Sequence, residues 1–264
     1  MQYSTILTLT ATRRRRSAPG DERPSQPGRA LGKWPGVDWL PVIAPEILVP
    51  KGYRAVFVAP RAEDETLGLS GLIARLMLVG RPIQLVAATD PAIGIRGQAP
   101  SRWTPQQKAS EWLPQPLRAL RCLSVAARST VLRPGLQEGE LAGLEDDLEW
   151  RLRGLIQPSD IVFASWRYDG HADHEAVGRV AARVCSAVFA PLVEVPVWAW
   201  HWSFPGDRRL PWPRARRIFL DRALRARKRR AVAEARSRFR PDDGRARSTA
   251  VLARATHRDE IVFV

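Results

Sequence analysis

Along the middle of the chain, short unbroken apolar runs alternate with stretches whose apolar residues recur at helical spacing. Residues 54–59 (RAVFVA) are rich in β-branched and aromatic side chains and predict a buried first strand. In residues 66–79, Leu69, Leu72, Ile73, Leu76 and Met77 fall on one helical face. The same pattern predicts strands over 83–88, 160–165 and 192–200, with a weaker one over 122–127. Helices are predicted from Pro105 until Pro114 and Pro116 interrupt, over 138–156 and over 173–189. A basic helix over 221–239 sets Leu224, Val232 and Phe239 beneath a solvated face, and 260–264 reads as a final edge segment. Strands alternating with helices imply an α/β fold with a mainly parallel sheet. Ligands of such sheets bind beyond the carboxyl ends of the strands, where strand order reverses.

Residues 1–50 carry charge, Pro and Gly without sustained periodicity. They predict a variable, partly disordered extension whose Trp34/Trp39 segment lies on the domain, leaving 51–264 as the domain itself. The whole chain has 264 residues, enough for a full core.

Charge changes this picture less than its size suggests. The formal net charge is +15, but only Lys33, Lys51, Lys108 and Lys228 are lysines, so arginine supplies the other 38 of the 42 basic residues. The arginines are spread along the chain without the localised footprint of a nucleic-acid protein, and no nucleic-acid partner is expected. No apolar run approaches the ~20 residues of a membrane span. The apolar residues 6–9 precede Arg13 to Arg16, the reverse of a signal peptide's order. Cys122 and Cys185 lie in apolar surroundings without metal-ligand spacing, as in a reduced, cytoplasmic protein.

Two clusters carry chemistry. Tyr168-Asp169-Gly170-His171-Ala172-Asp173-His174 holds two of the four histidines, each near a carboxylate, and can serve a metal ion, a proton transfer or both. After the first predicted strand, Arg61-Ala62-Glu63-Asp64-Glu65 places three acids at a strand-to-helix turn. Helix capping by itself accounts for any one of these acids, because free N–H groups and the helix dipole favour negative charge there. Both clusters fall at the carboxyl ends of their strands.

Together they resemble the PIG-L/LmbE-like family of zinc-dependent N-deacetylases, which carries a His-Pro-Asp-Asp-Glu motif after its first strand and a His-Pro-Asp-His motif after a later one. The likeness extends to Thr66-Leu67-Gly68, to residues 166–170, to Val197-Trp198-Ala199-Trp200-His201-Trp202 and to 260–264, covering roughly residues 34 to 264. It implies a Rossmann-like three-layer fold, a zinc cofactor and hydrolysis of an N-acylated amino sugar conjugate or related small amide. In its terms Asp64 and His174 are metal ligands, Glu63 stands at the general base, and His171, oriented by Asp173, assists the tetrahedral intermediate or the leaving amine. Such chemistry is coherent: a Lewis acid polarises the amide carbonyl while a carboxylate removes a proton from water.

The chain departs from the family at four places. Arg61 stands for the metal-binding histidine, Ala62 and Ala172 for the prolines, and Glu63 for the catalytic aspartate. A guanidinium stays protonated and has no lone pair for a metal. Either Arg61 pairs with Asp64 and Glu63, substituting its charge for the metal in an impaired relative that binds ligands or serves as a scaffold, or it turns outward and one of the two remaining histidines, His201 ahead of His257, or water completes the ligand set.

Overall fold

The computed structural model describes residues 36–61, 63–89, 129–132, 134–236 and 249–264. The run predicted as the first strand is β1 (Arg54–Ala59), buried from Ala55 onward. It pairs in parallel with β2 (Ile83–Ala87) on one side and β4 (Asp160–Ser165) on the other. β3 (Ser129–Leu132) extends the sheet beyond β2, and β5 (Leu192–Val195) extends it beyond β4, both in parallel. Two antiparallel strands, β6 (Ala215–Phe219) and β7 (Asp259–Phe263), complete the order β3-β2-β1-β4-β5-β7-β6.

Alternate residues of a strand face opposite ways, so one buried run feeds two cores. Ala55 and Phe57 of β1, with Ile161 and Phe163 of β4, enter a core beneath α2 (Asp64–Leu78), α6 (Arg222–Arg236) and α7 (Thr249–Ala255). Val56 and Val58, with Val162 and Ala164, enter the other, beneath α3 (Glu145–Arg153) and α4 (Ala172–Val188). The β1/β4 register sets Phe57 opposite Phe163, and their rings stack at 4.7 Å. The result is a three-layer α/β fold of the Rossmann-like kind. The chain proceeds from β1 to β2 and β3 on one flank, then resumes at β4 on the other, so the order reverses between β1 and β4. A crevice opens beyond the carboxyl ends of those two strands.

Several expectations are corrected. Residues 138–156 are not one helix: a 3-10 turn at Leu141–Gly143 precedes α3, and Gly139 adopts a left-handed φ of 85° that no continuous helix accommodates. The strand foreseen over 192–200 stops at Val195, and the chain turns into the short helix α5 (Ala199–Trp202). Residues 260–264 do not form an edge, because β7 lies between β5 and β6. The foreseen helix from Pro105, the weak strand over 122–127, Cys122 and Phe239 all lie outside the described residues.

From residue 36, the preceding segment lies on the domain: Val37 and Val49 enter the core, and α1 (Pro45–Leu48) contributes Leu48. Cys185 is a free, buried thiol, pushed up to about 12 chiefly by burial. Among the described residues no helix is long and apolar enough to cross a membrane.

Candidate active site at the carboxyl ends of β1 and β4

The turn after β1 brings Arg61, Glu63 and Asp64 together. Glu63 occupies the N-cap position of α2 and Asp64 its first turn, where the Asp64 Oδ2 accepts the Arg61 backbone N–H at 3.2 Å. Arg61 turns inward, its side chain only 11% exposed. Its Nε lies 3.5 Å from Asp64 Oδ2 and 3.9 Å from Glu63 Oε1, and its Nη1 donates to Glu138 Oε1 at 2.8 Å. Burial opposes the guanidinium's charge, but Asp64, Glu63 and Glu138 outweigh it and raise the group above its ordinary value. Glu65, next in the turn, is pushed well above the carboxylate range, first by burial and then by the charges of Asp64 and Glu63.

The second cluster is organised by Asp169, whose importance the sequence did not single out. Its buried carboxylate accepts the backbone N–H groups of Val197 (3.1 Å), Trp198 (2.8 Å) and Ala199 (2.8 Å), which turns the chain after β5. Its Oδ2 also meets His174 Nδ1 at 2.8 Å. An ionised carboxylate only accepts, so Nδ1 carries a proton toward Asp169. The His174 Nε2 is buried, makes no hydrogen bond and lies 3.5 Å from Asp64 Oδ2. Gly170 is required beside it: φ is 86°, and a Cβ there would sit 2.3 Å from the Trp202 Nε1 that donates to the Asp169 carbonyl.

His171 is the N-cap of α4, and its Nδ1 accepts the Asp173 N–H at 3.3 Å. The carboxylate of Asp173 points elsewhere, accepting N–H groups of Gly139 (2.8 Å) and Leu141 (3.2 Å). Burial raises Asp173 above the usual carboxylate value despite those bonds. The Asp173 side chain thereby fixes the loop that supplies Glu138, a partner of Arg61 that no local sequence signal announces. His171 lies 4.9 Å from the His174 ring and 5.4 Å, edge to face, from Trp198. His201 packs on the other part of Trp198 at 5.0 Å, on the aromatic wall.

The site therefore has a closed floor and an open rim. His174 and Asp64 are 0% and 1% exposed beneath Arg61, whereas Glu63, His171, Trp198 and His201 retain solvent contact and Tyr168 is exposed. A metal cofactor is what the resemblance suggests for the floor. Asp64 and a carboxylate-backed His174, side by side, suit two ligand positions. The third is a guanidinium, which cannot donate a lone pair, and catalytic zinc takes three protein ligands. Among the described residues no group of three or more His, Cys, Asp or Glu side chains could hold a metal ion. The residue set does not fit the zinc that the sequence resemblance implied.

Residues 56–185, which contain both clusters, match the family described as PIG-L: GlcNAc-PI de-N-acetylase. The chain belongs to the PIG-L/LmbE-like family. This places it among deacetylase-type hydrolases. Its fold is similar to that of the A40926 pseudoaglycone deacetylase Dbv21, with a TM-score of 0.54 and 16% identity over 80% of this chain and 96% of that one. It is similar also to N,N'-diacetylchitobiose deacetylase from Pyrococcus horikoshii, with a TM-score of 0.50 and 19% identity over 75% and 77% of the two chains. The zinc inhibited form of teicoplanin deacetylase Orf2 gives a TM-score of 0.53 and 17% identity over 80% and 97%. No curated protein sequence matches the chain.

Proposed function

We propose that this PIG-L/LmbE-like chain hydrolyses the amide of an N-acylated amino sugar conjugate or related small molecule. What supports the proposal is that the two clusters meet at the carboxyl ends of β1 and β4, where His174 Nε2 lies 3.5 Å from Asp64 Oδ2, with half-buried Glu63 at the start of α2 and half-buried His171 at the start of α4. In this reading Glu63 accepts a proton from water as the water oxygen attacks the acyl carbon. His171 assists the tetrahedral intermediate and delivers a proton to the nitrogen as the C–N bond breaks, leaving an acid and an amine. Asp173 holds His171 through its backbone N–H and the surrounding loop through its carboxylate. The Trp198 face offers a wall on which a sugar ring stacks. Asp64 and His174 form the floor beneath.

The test is release of free amine and acid from N,N'-diacetylchitobiose, an N-acetylglucosaminyl glycolipid and a simple N-acyl amine. Turnover of at least one is expected, falling about 100-fold or more in Glu63→Gln and His171→Ala. Sugar binding without turnover would instead support a second reading, a ligand-binding relative, to which the burial of Arg61 among carboxylates points.

A further inference from the structure

We infer that Arg61 is a built-in cation closing the floor of the site, holding Asp64 where an ion would otherwise do so, and that the chain keeps this site without resident zinc. The inference deepens the functional reading and rests on its placement of the floor.

Three features converge on it. Arginine ordinarily keeps its charged head in water, yet here Nε is buried and makes no hydrogen bond. It points within 3.5 Å of the same Asp64 Oδ2 that His174 Nε2 faces from 3.5 Å. One carboxylate oxygen thus serves a guanidinium and an imidazole together. A dication added there would meet a fixed positive charge and compete for the carboxylate that compensates it.

The placement is also supported from a distance. Glu138 reaches Arg61 at 2.8 Å across 77 positions of sequence. It does so from a loop pinned by the Asp173 carboxylate to Gly139 and Leu141. An inward arginine with a distant, independently anchored partner is a constructed feature of the site. Replacing it with histidine restores a third nitrogen or oxygen donor beside Asp64 and His174.

The experiment measures metal content and melting temperature, which report on this inference separately from turnover. Full-length natural protein, Arg61→His, and Arg61→His combined with His174→Ala are purified without chelator. Each is analysed for zinc by mass spectrometry and melted with added Zn²⁺ or EDTA. The natural protein is expected to carry only trace zinc and to melt unchanged with either addition. Arg61→His is expected to take up near one zinc per chain and gain melting temperature with Zn²⁺, and the double variant to lose both. Near-stoichiometric zinc in the natural protein, a melting temperature lowered by EDTA, or a folded Arg61→His that takes none overturns the inference. Should Arg61→His not fold, the natural protein's zinc content and EDTA response decide the matter alone. Absence of hydrolysis leaves the inference standing while removing the enzymatic reading.

Discussion

His174 Nδ1 and Asp169 Oδ2 meet at 2.8 Å with both side chains fully buried, and the same carboxylate caps three successive backbone N–H groups after β5. In Asp169→Asn, an amide NH₂ replaces one acceptor oxygen and faces donors. Since hydrogen bonds to a charged group contribute about 1.5–3 kcal/mol each, the variant is expected to lose roughly 3 kcal/mol or more. Urea unfolding measures the loss, and nitrogen NMR of His174 should show the ring's proton assignment disturbed. An unchanged unfolding midpoint would refute the central role given to Asp169.

A buried ion pair ties the basic helix to the sheet. Lys228 Nζ meets Glu260 Oε1 at 2.5 Å, while Glu260 also accepts the Gly71 and Leu72 N–H groups at 2.7 Å each. Lys228→Met strands a buried carboxylate, and about 3–5 kcal/mol of stability is expected to go with it. Adding Glu260→Gln should return part of that loss, and denaturation of the single and double variants decides.

His257 gives the fold an acid sensitivity. Burial first, and the nearby Arg254 next, bring its pKa down to about 4. Arg258 acts in the same direction, against the opposing pull of Asp259 and Asp38. The neutral ring accepts the Asp259 N–H at 3.3 Å through Nδ1. The unfolded chain, with an ordinary histidine near 6.5, takes up the proton first as pH falls. Stability from this group is therefore complete above about pH 6.5 and is lost progressively toward pH 4. Urea midpoints measured across that range should fall with pH, less steeply in His257→Gln.

Gly178 shows where α4 meets its strand. A Cβ there would lie 2.4 Å from the Ser165 carbonyl oxygen and 2.6 Å from the Arg167 nitrogen, both backbone atoms. Gly178→Ala is expected to cost about 3 kcal/mol, at the upper end of overpacking. Gly143→Ala, with nothing within 4 Å of its Cβ, is the control and should be near neutral by thermal melting.

The central strands were legible because burial on both faces leaves an unbroken apolar run: β1 and β4 begin and end where the pattern placed them. The topology rule for such sheets placed both clusters at the ligand-binding end, but the adjacency of β1 and β4 comes from the sheet order itself. What escaped is nonlocal. The bend after Val195 depends on Asp169 capturing three N–H groups from 28 to 30 positions away, and an apolar stretch gives no sign of a distant carboxylate. The inward turn of Arg61 depends on Glu138 in the same way. Lys228 sits among arginines in a segment whose composition suggests a solvated face, yet it is buried because Glu260 arrives beneath it.

The position of β7 between β5 and β6 has a temporal side. β6 is synthesised first, but its sheet neighbour is a strand made some forty residues later, the other contact being the single bridge from Val42 to Arg217. Until β7 leaves the ribosome, β6 lacks its partner strand in the sheet, and Gly71 and Leu72 lack the carboxylate that caps them. A nascent chain cut short at residue 258 would thus lose two strands rather than one. The β7 segment acts as a bolt, and the domain locks only when it slides home.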